Sequence, residues 1–244
     1  MRVLALSGTT EGRHLASRRT VISSLAGRTR SPLLPPGEVR IGGFGGVAGL
    51  TSYLTSTGID AVIDATHPFA ATMTSHAAAA CAATGTPLLI LRRPGWTAGP
   101  GDRWHRVPSL SAAAALLPSL GERVFLTTGR QSIAAFADVP GCWFVSRSVE
   151  PPAPPMPARL EVILDRGPFG FEAERSLLLS YAVDVLVTKD SGGSTAKLDA
   201  ARTLDVPVVV VDRPPLPDGV PVVATVDAAV QWLDQLEALT QSGT

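Results

Sequence analysis

Apolar residues along this chain fall into short runs, each closed by a hydroxyl-rich or glycine-rich turn and followed by helical spacing. The first run covers residues 2–6 and stops at Ser7-Gly8-Thr9-Thr10-Glu11-Gly12-Arg13. Runs at 20–27, 39–41, 61–63 and 88–91 follow, with a short helix predicted over 50–58 and an alanine-rich one over 73–84. Uninterrupted apolar runs alternating with helices read as parallel strands buried on both faces. After a connector at Gly99-Pro100-Gly101-Asp102 the pattern restarts. Residues 104–107 lead to a helix over 110–120, and strands are predicted at 123–126, 142–146, 160–164, 185–187, 207–211 and 220–223. Helices are predicted over 171–180, around Lys197 and over 227–239. The expected fold is α/β, two Rossmann-like domains with mainly parallel sheets and a cleft between them, spanning 1–98 and 99–244.

The stretch Asp64-Ala65-Thr66-His67-Pro68-Phe69 closes the run at 61–63. Open α/β sheets bind ligands at the carboxyl ends of their strands, so a site is expected there. Thr66, His67, Pro68 and Phe69 are its candidate lining. The loop from Gly8 to Arg13 supplies a second part. A tight turn between a strand and a helix offers backbone N–H groups to a phosphate. Gly8 permits the turn, Gly12 permits close helix packing, and Thr9, Thr10 and Glu11 lie between them. The glycines are spaced G-x-x-x-G, a partial match to the G-x-G-x-x-G fingerprint.

Arg28 and Arg30 follow the second run, where this fold meets the adenosine ribose. Arginine there suits a 2′-phosphate and an acid suits a free hydroxyl, so the pair favours NADP over NAD. Two solvated surface arginines are the competing reading. Gly43, Phe44 and Gly45 lie in a segment nearly bare of side chains, which lets a cofactor approach backbone; a mobile loop is the alternative.

Hydrophobic residues make up 45% of the 244, enough for a sizeable core, and 21 basic residues balance 21 acidic ones. No global field recruits nucleic acid or an anionic membrane, so anion binding must be local. Cys81 and Cys142 lack redox or zinc spacing and read as buried thiols. His67 and His76 find no partners that would complete a metal set, and no metal is expected. With no signal segment and no run long enough to span a membrane, a soluble cytoplasmic protein is expected. A monomer is compatible with these features.

Lys189 and Lys197 are the only lysines, set at one strand-to-helix junction in an otherwise arginine-based chain. Such placement suits a compact charge or a shiftable pKa. Residues 127–131, Thr-Thr-Gly-Arg-Gln, repeat the logic of the first loop, and five prolines within 151–157 predict an irregular loop over the cleft.

Taken in order, S-G-T-T-E-G-R, D-A-T-H-P-F-A, R-R-P-x-W, T-T-G-R-Q, D-R-G-P-F, V-T-K-D-S-G-G and V-D-R-P resemble the precorrin-6A reductase family of cobalamin biosynthesis over nearly the whole chain. Ser7, where glycine is common, and Gly12, where alanine is expected, depart from its pattern. The resemblance implies an NADPH-dependent reduction of one double bond of a carboxylate-rich tetrapyrrole, precorrin-6A or its cobalt form. It implies cofactor contacts from Gly8 to Arg13, Arg28, Arg30, Gly43 to Gly45 and Thr66 to Phe69, the last two groups on the nicotinamide side. Arg92, Arg93, Thr128, Gly129, Arg130, Gln131, Arg147, Arg166, Ser191, Gly192 and Lys197 become expected substrate contacts. Lys189, Asp190 and His67 become expected catalytic residues, with Lys189 also facing the macrocycle. A reductase acting on a smaller acid and a non-catalytic nucleotide sensor are the other classes considered.

Overall fold

The computed structural model describes residues 1–27 and 33–242. Arg28 and Arg30 lie outside the described residues. Residues Met1–Pro94 together with Pro214–Thr244 form one compact unit, and Gly95–Arg213 form the other.

The first unit is built on β1 (Val3–Leu6), β2 (Ile22–Leu25), β3 (Glu38–Ile41), β4 (Ala61–Asp64), β5 (Leu88–Leu91) and β12 (Val222–Val223). They form a six-stranded sheet in the order β3-β2-β1-β4-β5-β12, with every pairing parallel. This is the order of the dinucleotide-binding fold, whose direction of winding reverses between β1 and β4. Alternation along β1 shows how the layers form. Val3 and Ala5 join Leu15 of α1 (Thr10–Arg18) and Ala229 and Leu233 of α7 (Val226–Ser242). Leu4 and Leu6 face the other way, onto Leu50 and Leu54 of α2 (Gly46–Thr57) and Ala77, Ala80 and Cys81 of α3 (Ala71–Thr84). Successive strand residues point to opposite faces, so a strand covered on both sides, as β1 is, reads as a near-continuous apolar run.

The second unit holds β6 (Trp104–Val107), β7 (Arg123–Leu126), β8 (Trp143–Ser148), β9 (Leu160–Leu164), β10 (Val185–Lys189) and β11 (Val208–Val211). Its sheet, also parallel throughout, runs β9-β8-β7-β10-β11-β6. The same winding therefore recurs, reversing between β7 and β10. Leu178 of α5 (Phe171–Ser180) and Leu198, Ala200 and Ala201 of α6 (Ala196–Thr203) pack with Phe125, Val145, Leu186, Val208 and Val210.

Three expectations are corrected. Residues 104–107 are a strand and not a lead-in, and the following helix ends early: α4 (Leu110–Leu116) passes into a 3-10 turn at Leu117–Ser119, with Pro118 in it. The segment after Gly129 is a 3-10 helix, Arg130–Phe136, in place of the α-helix that follows the first loop. The C-terminal segment, expected in a second domain running to residue 244, belongs with the first sheet. Val222 and Val223 pair with Ile90 and Leu91, and α7 covers the face beside them. Arg19 ties α1 to Asp234 and Glu237 of α7, and Arg18 pairs with Asp227. Periodicity announces a strand and a helix there but carries no information about which sheet edge receives them.

Candidate active site

At the β1–β4 reversal, backbone bonds fasten the strand ends: the Ser7 amide donates to Ser24 O at 2.9 Å and the Ala65 amide to Leu6 O at 2.9 Å. Thr9 caps α1, accepting from the Gly12 amide at 3.1 Å, and its hydroxyl donates to Ala65 O at 2.8 Å. That hydroxyl therefore links β1 to β4. Thr10 is exposed, and its hydroxyl accepts from Arg13 at 3.1 Å.

The two departures at Ser7 and Gly12 prove to be one. A Cβ on Gly12 would lie 2.8 Å from Ser7 Oγ, so serine at the first position requires glycine at the second. Ser7 Oγ is buried and has no hydrogen-bond partner among the described residues. Gly8, with φ +138°, has open space where a Cβ would project. Open space beside Gly8, a buried hydroxyl without a partner among the described residues and a capped helix N-terminus fit a phosphate-bearing dinucleotide. Glu11 instead pairs with Arg93 at 2.8 Å. Burial opposes its ionisation, but its own backbone N–H and Arg93 outweigh that and hold the carboxyl below its usual range.

Asp64, at the end of β4, is buried and accepts from the Thr66 amide at 3.0 Å, Thr66 Oγ1 at 2.6 Å and Thr74 Oγ1 at 2.6 Å. It ties the turn to α3, a role the sequence reading did not give it. Burial, with Asp64 adding to it, pushes the Cys81 thiol up to about 12. Beyond the tie, His67 is exposed, its Nδ1 accepting from the Phe69 amide at 3.2 Å.

The glycine segment lies elsewhere than expected. Gly43, Phe44 and Gly45 follow β3, whereas Thr66 to Phe69 follow β4, three strand positions away and about 14 Å across the sheet at the usual spacing. The two cannot both line the nicotinamide side. The segment is also built and held. Arg40 donates to Gly42 O at 2.5 Å and Gly43 O at 2.8 Å and stacks 3.8 Å from the Phe44 ring centroid, which meets Tyr53 edge-on at 5.2 Å.

In the second unit, Thr127 donates through its amide (2.9 Å) and hydroxyl (3.0 Å) to Val187 O, bridging β7 and β10. Thr128 is buried, and its hydroxyl has no partner among the described residues. Gly129 takes φ +82°, Arg130 is 3.2 Å from Glu150, and Gln131 and Arg166 are exposed. Arg92 donates to Pro214 O at 3.4 Å in the first unit. Lys189 is half-buried at the end of β10, and desolvation lowers its pKa. The Ser191 amide donates to Lys189 O at 2.6 Å, Gly192 is buried with φ +68°, and Lys197 Nζ sits 4.4 Å from the Trp96 ring.

Two expected site residues are occupied by the protein itself. Asp190 is 4% exposed; it accepts from the Trp96 amide at 2.9 Å and Arg106 at 2.9 Å, with Arg213 3.7 Å away. A Cβ on Gly95 would fall 2.8 Å from its Oδ2. A carboxylate so enclosed binds its own chain and not a macrocycle. Arg147 has a side chain only 9% exposed, 2.7 Å from buried Glu174 and 3.5 Å from the Phe169 ring centroid. It holds Phe169 in place and is withdrawn from substrate. Among the described residues, no group of three or more His, Cys, Asp or Glu could hold a metal, and no helix is long and apolar enough to cross a membrane.

Parallel sheets wound in the dinucleotide-binding order, with a turn at the reversal of the first that offers backbone N–H groups, define a Rossmann-type class. The model of the precorrin-6x reductase CbiJ/CobK family matches residues 2–234, and the chain belongs to that family, which makes it a nicotinamide-dependent oxidoreductase. The precorrin-6A reductase of Rhodococcus erythropolis is 49% identical, covering 96% of this chain and 98% of its own. That of Mycobacterium tuberculosis (strain ATCC 25618 / H37Rv) is also 49% identical, over 95% and 97%. A solved structure titled CobK precorrin-6A reductase superposes with TM-score 0.91 at 44% identity, covering 97% of both chains.

Proposed function

We propose that this chain is a precorrin-6A reductase that uses NADPH to reduce one double bond of the metal-free macrocycle to the dihydro product. The observation that carries the cofactor half is the turn from Ser7 to Gly12, with its open Gly8 and its unpartnered buried hydroxyl at the β1–β4 reversal. Backbone N–H groups of that turn receive the pyrophosphate, helped by the N-terminus of α1. Thr66, His67, Pro68 and Phe69, on the β4 side, line the nicotinamide, their turn held by Asp64. Arg28 and Arg30 remain candidates for the 2′-phosphate. Bound there, the dinucleotide supplies hydride to the macrocycle.

The reduction also needs a proton. Lys189 Nζ, whose ammonium is made easier to deprotonate by desolvation, delivers it to the carbon next to the one that receives hydride and is reprotonated from solvent. Asp190 acts one step back: by gripping Trp96, Arg106 and Arg213 it fixes the end of β10 that carries Lys189. Arg92, Arg130 and Arg166, with the Thr128 hydroxyl and the Ser191–Gly192 turn, take the carboxylate side chains of the macrocycle.

The test is anaerobic incubation with precorrin-6A, following macrocycle absorbance and NADPH oxidation together, with NADH as control. Equimolar loss of both signals, faster with NADPH, is expected. Binding of NADPH with turnover only on the cobalt-containing macrocycle would replace the substrate; turnover on neither would overturn the reductase reading.

A further inference from the structure

Arg40 is placed and prepared for a task that its local hydrogen bonds do not exhaust. It stands on β3 directly opposite Ser24 of β2, and Ser24 O in turn receives the Ser7 amide, so the three residues form a row along the carboxyl edge of the sheet. The segment after Arg40 lies against the end of β2: the Gly42 amide donates to Leu25 O at 2.8 Å, and a Cβ on Gly27 would touch Ile41 at 3.2 Å. In this fold the end of the second strand is where the adenosine ribose lies.

The guanidinium is held in a fixed plane by the Phe44 ring on one side and by two carbonyls at its edge, Gly42 O and Gly43 O. Those bonds take two of its five N–H groups. No carboxylate among the described residues pairs with it; its partners are carbonyls and an aromatic ring. A half-buried, oriented arginine with spare donors and no internal counter-charge matches a dianionic oxygen cluster.

We infer that Arg40, held by Phe44, is the residue that recognises the 2′-phosphate of the cofactor and so discriminates NADPH from NADH. This rests on the dinucleotide reading of the first unit and moves the glycine segment from the nicotinamide side to the adenosine side. Gly49 belongs to the same device, because a Cβ there would lie 1.7 Å from Phe44 O.

The test is direct binding, independent of turnover. NADPH and NADH are titrated by nicotinamide fluorescence, and 2′,5′-ADP by competition, against the wild type, Arg40→Gln and Arg40→Lys. The wild type is expected to prefer NADPH. Arg40→Gln should weaken NADPH and 2′,5′-ADP by about 10- to 100-fold, the loss of charge-assisted hydrogen bonds, while leaving NADH within about twofold. Arg40→Lys, which keeps the charge and loses the flat fork, should fall between. A preference unchanged in Arg40→Gln would overturn the inference and return the phosphate to Arg28 and Arg30. Equal weakening of NADPH and NADH would overturn it too, reducing Arg40 to a clamp on the loop. If the wild type bound NADPH but showed no preference over NADH, the 2′-phosphate reading itself would fall; if it bound neither, the dinucleotide reading would.

Discussion

A glycine inside a helix normally costs stability, and replacing it by alanine gains about 1 kcal/mol. Gly49, in the first turn of α2, should behave oppositely. An alanine Cβ would lie 1.7 Å from Phe44 O and 2.8 Å from Phe44 C, both backbone atoms that no side-chain rotation can move aside. Relief requires the segment 42–46 to lift, which breaks the bonds from Arg40 to Gly42 O and Gly43 O. Hydrogen bonds to a charged group contribute about 1.5–3 kcal/mol each. Losing two and gaining the helix preference leaves a net destabilisation of about 2–5 kcal/mol. Denaturant unfolding followed by circular dichroism would report it as a lower midpoint, and a thermal scan as a Tm lower by about 10 °C. Gly49→Ala should also weaken NADPH binding, since Arg40 loses its mount. A Gly49→Ala protein as stable as the wild type would show that Phe44 O does not approach α2 closely, and the pre-formed loop would have to be abandoned.

Other perturbations separate structural from chemical roles. Arg147→Met strands a buried carboxylate at Glu174 and should cost about 3–5 kcal/mol in unfolding experiments, with most of it regained in Arg147→Met/Glu174→Leu; a stable single variant with a raised KM for the macrocycle would restore Arg147 as a substrate ligand. Lys189→Met should lower kcat by about 100-fold without changing NADPH affinity, and full turnover would remove the proton-donor role. Because desolvation lowers the pKa of Lys189, the protonated donor is lost at a lower pH than for an exposed lysine, so wild-type kcat should decline with rising pH through that range and Lys189→Met should lack this limb. The Cys81 thiol, pushed up to about 12, should resist a thiol-specific chromophoric reagent at pH 8 in the native protein and react only after unfolding; rapid native labelling at Cys81 would contradict its burial.

The strand-turn-helix alternation was legible because parallel strands covered on both faces are mostly apolar, and Val3 to Leu6 and Val208 to Val211 are so at every position. The turn after β1 was legible for the same reason: glycines and hydroxyls stand out against such runs. What stayed hidden depends on contacts distant in sequence. Nothing near Asp190 announces that Trp96, Arg106 and Arg213 converge on it, and a conspicuous D-S-G-G segment looks the same whether its acid faces a ligand or its own chain. Arg147 was misjudged likewise, its partner Glu174 lying on a helix in an ordinary charged stretch. Arg40 has a pattern visible in the sequence, an arginine on a short run four residues before a phenylalanine flanked by glycines. Strand order is what gives that spacing meaning, since it sets β3 beside β2 and away from β4.

The return of Val222 and Val223 to β5 has a consequence for how the molecule comes into being. A ribosome releases the first five strands of one sheet long before it makes the sixth, and the whole of Gly95–Arg213 is synthesised in between. At about 5–20 residues per second, that interval is on the order of 10 s. Throughout it, Leu88–Leu91 presents an unpaired apolar border, the kind of edge that recruits neighbouring chains. The second unit, continuous in sequence, can complete itself first. The unit whose synthesis begins first is therefore the one whose sheet can be closed last, with β5 an open edge until Val222 and Val223 are made.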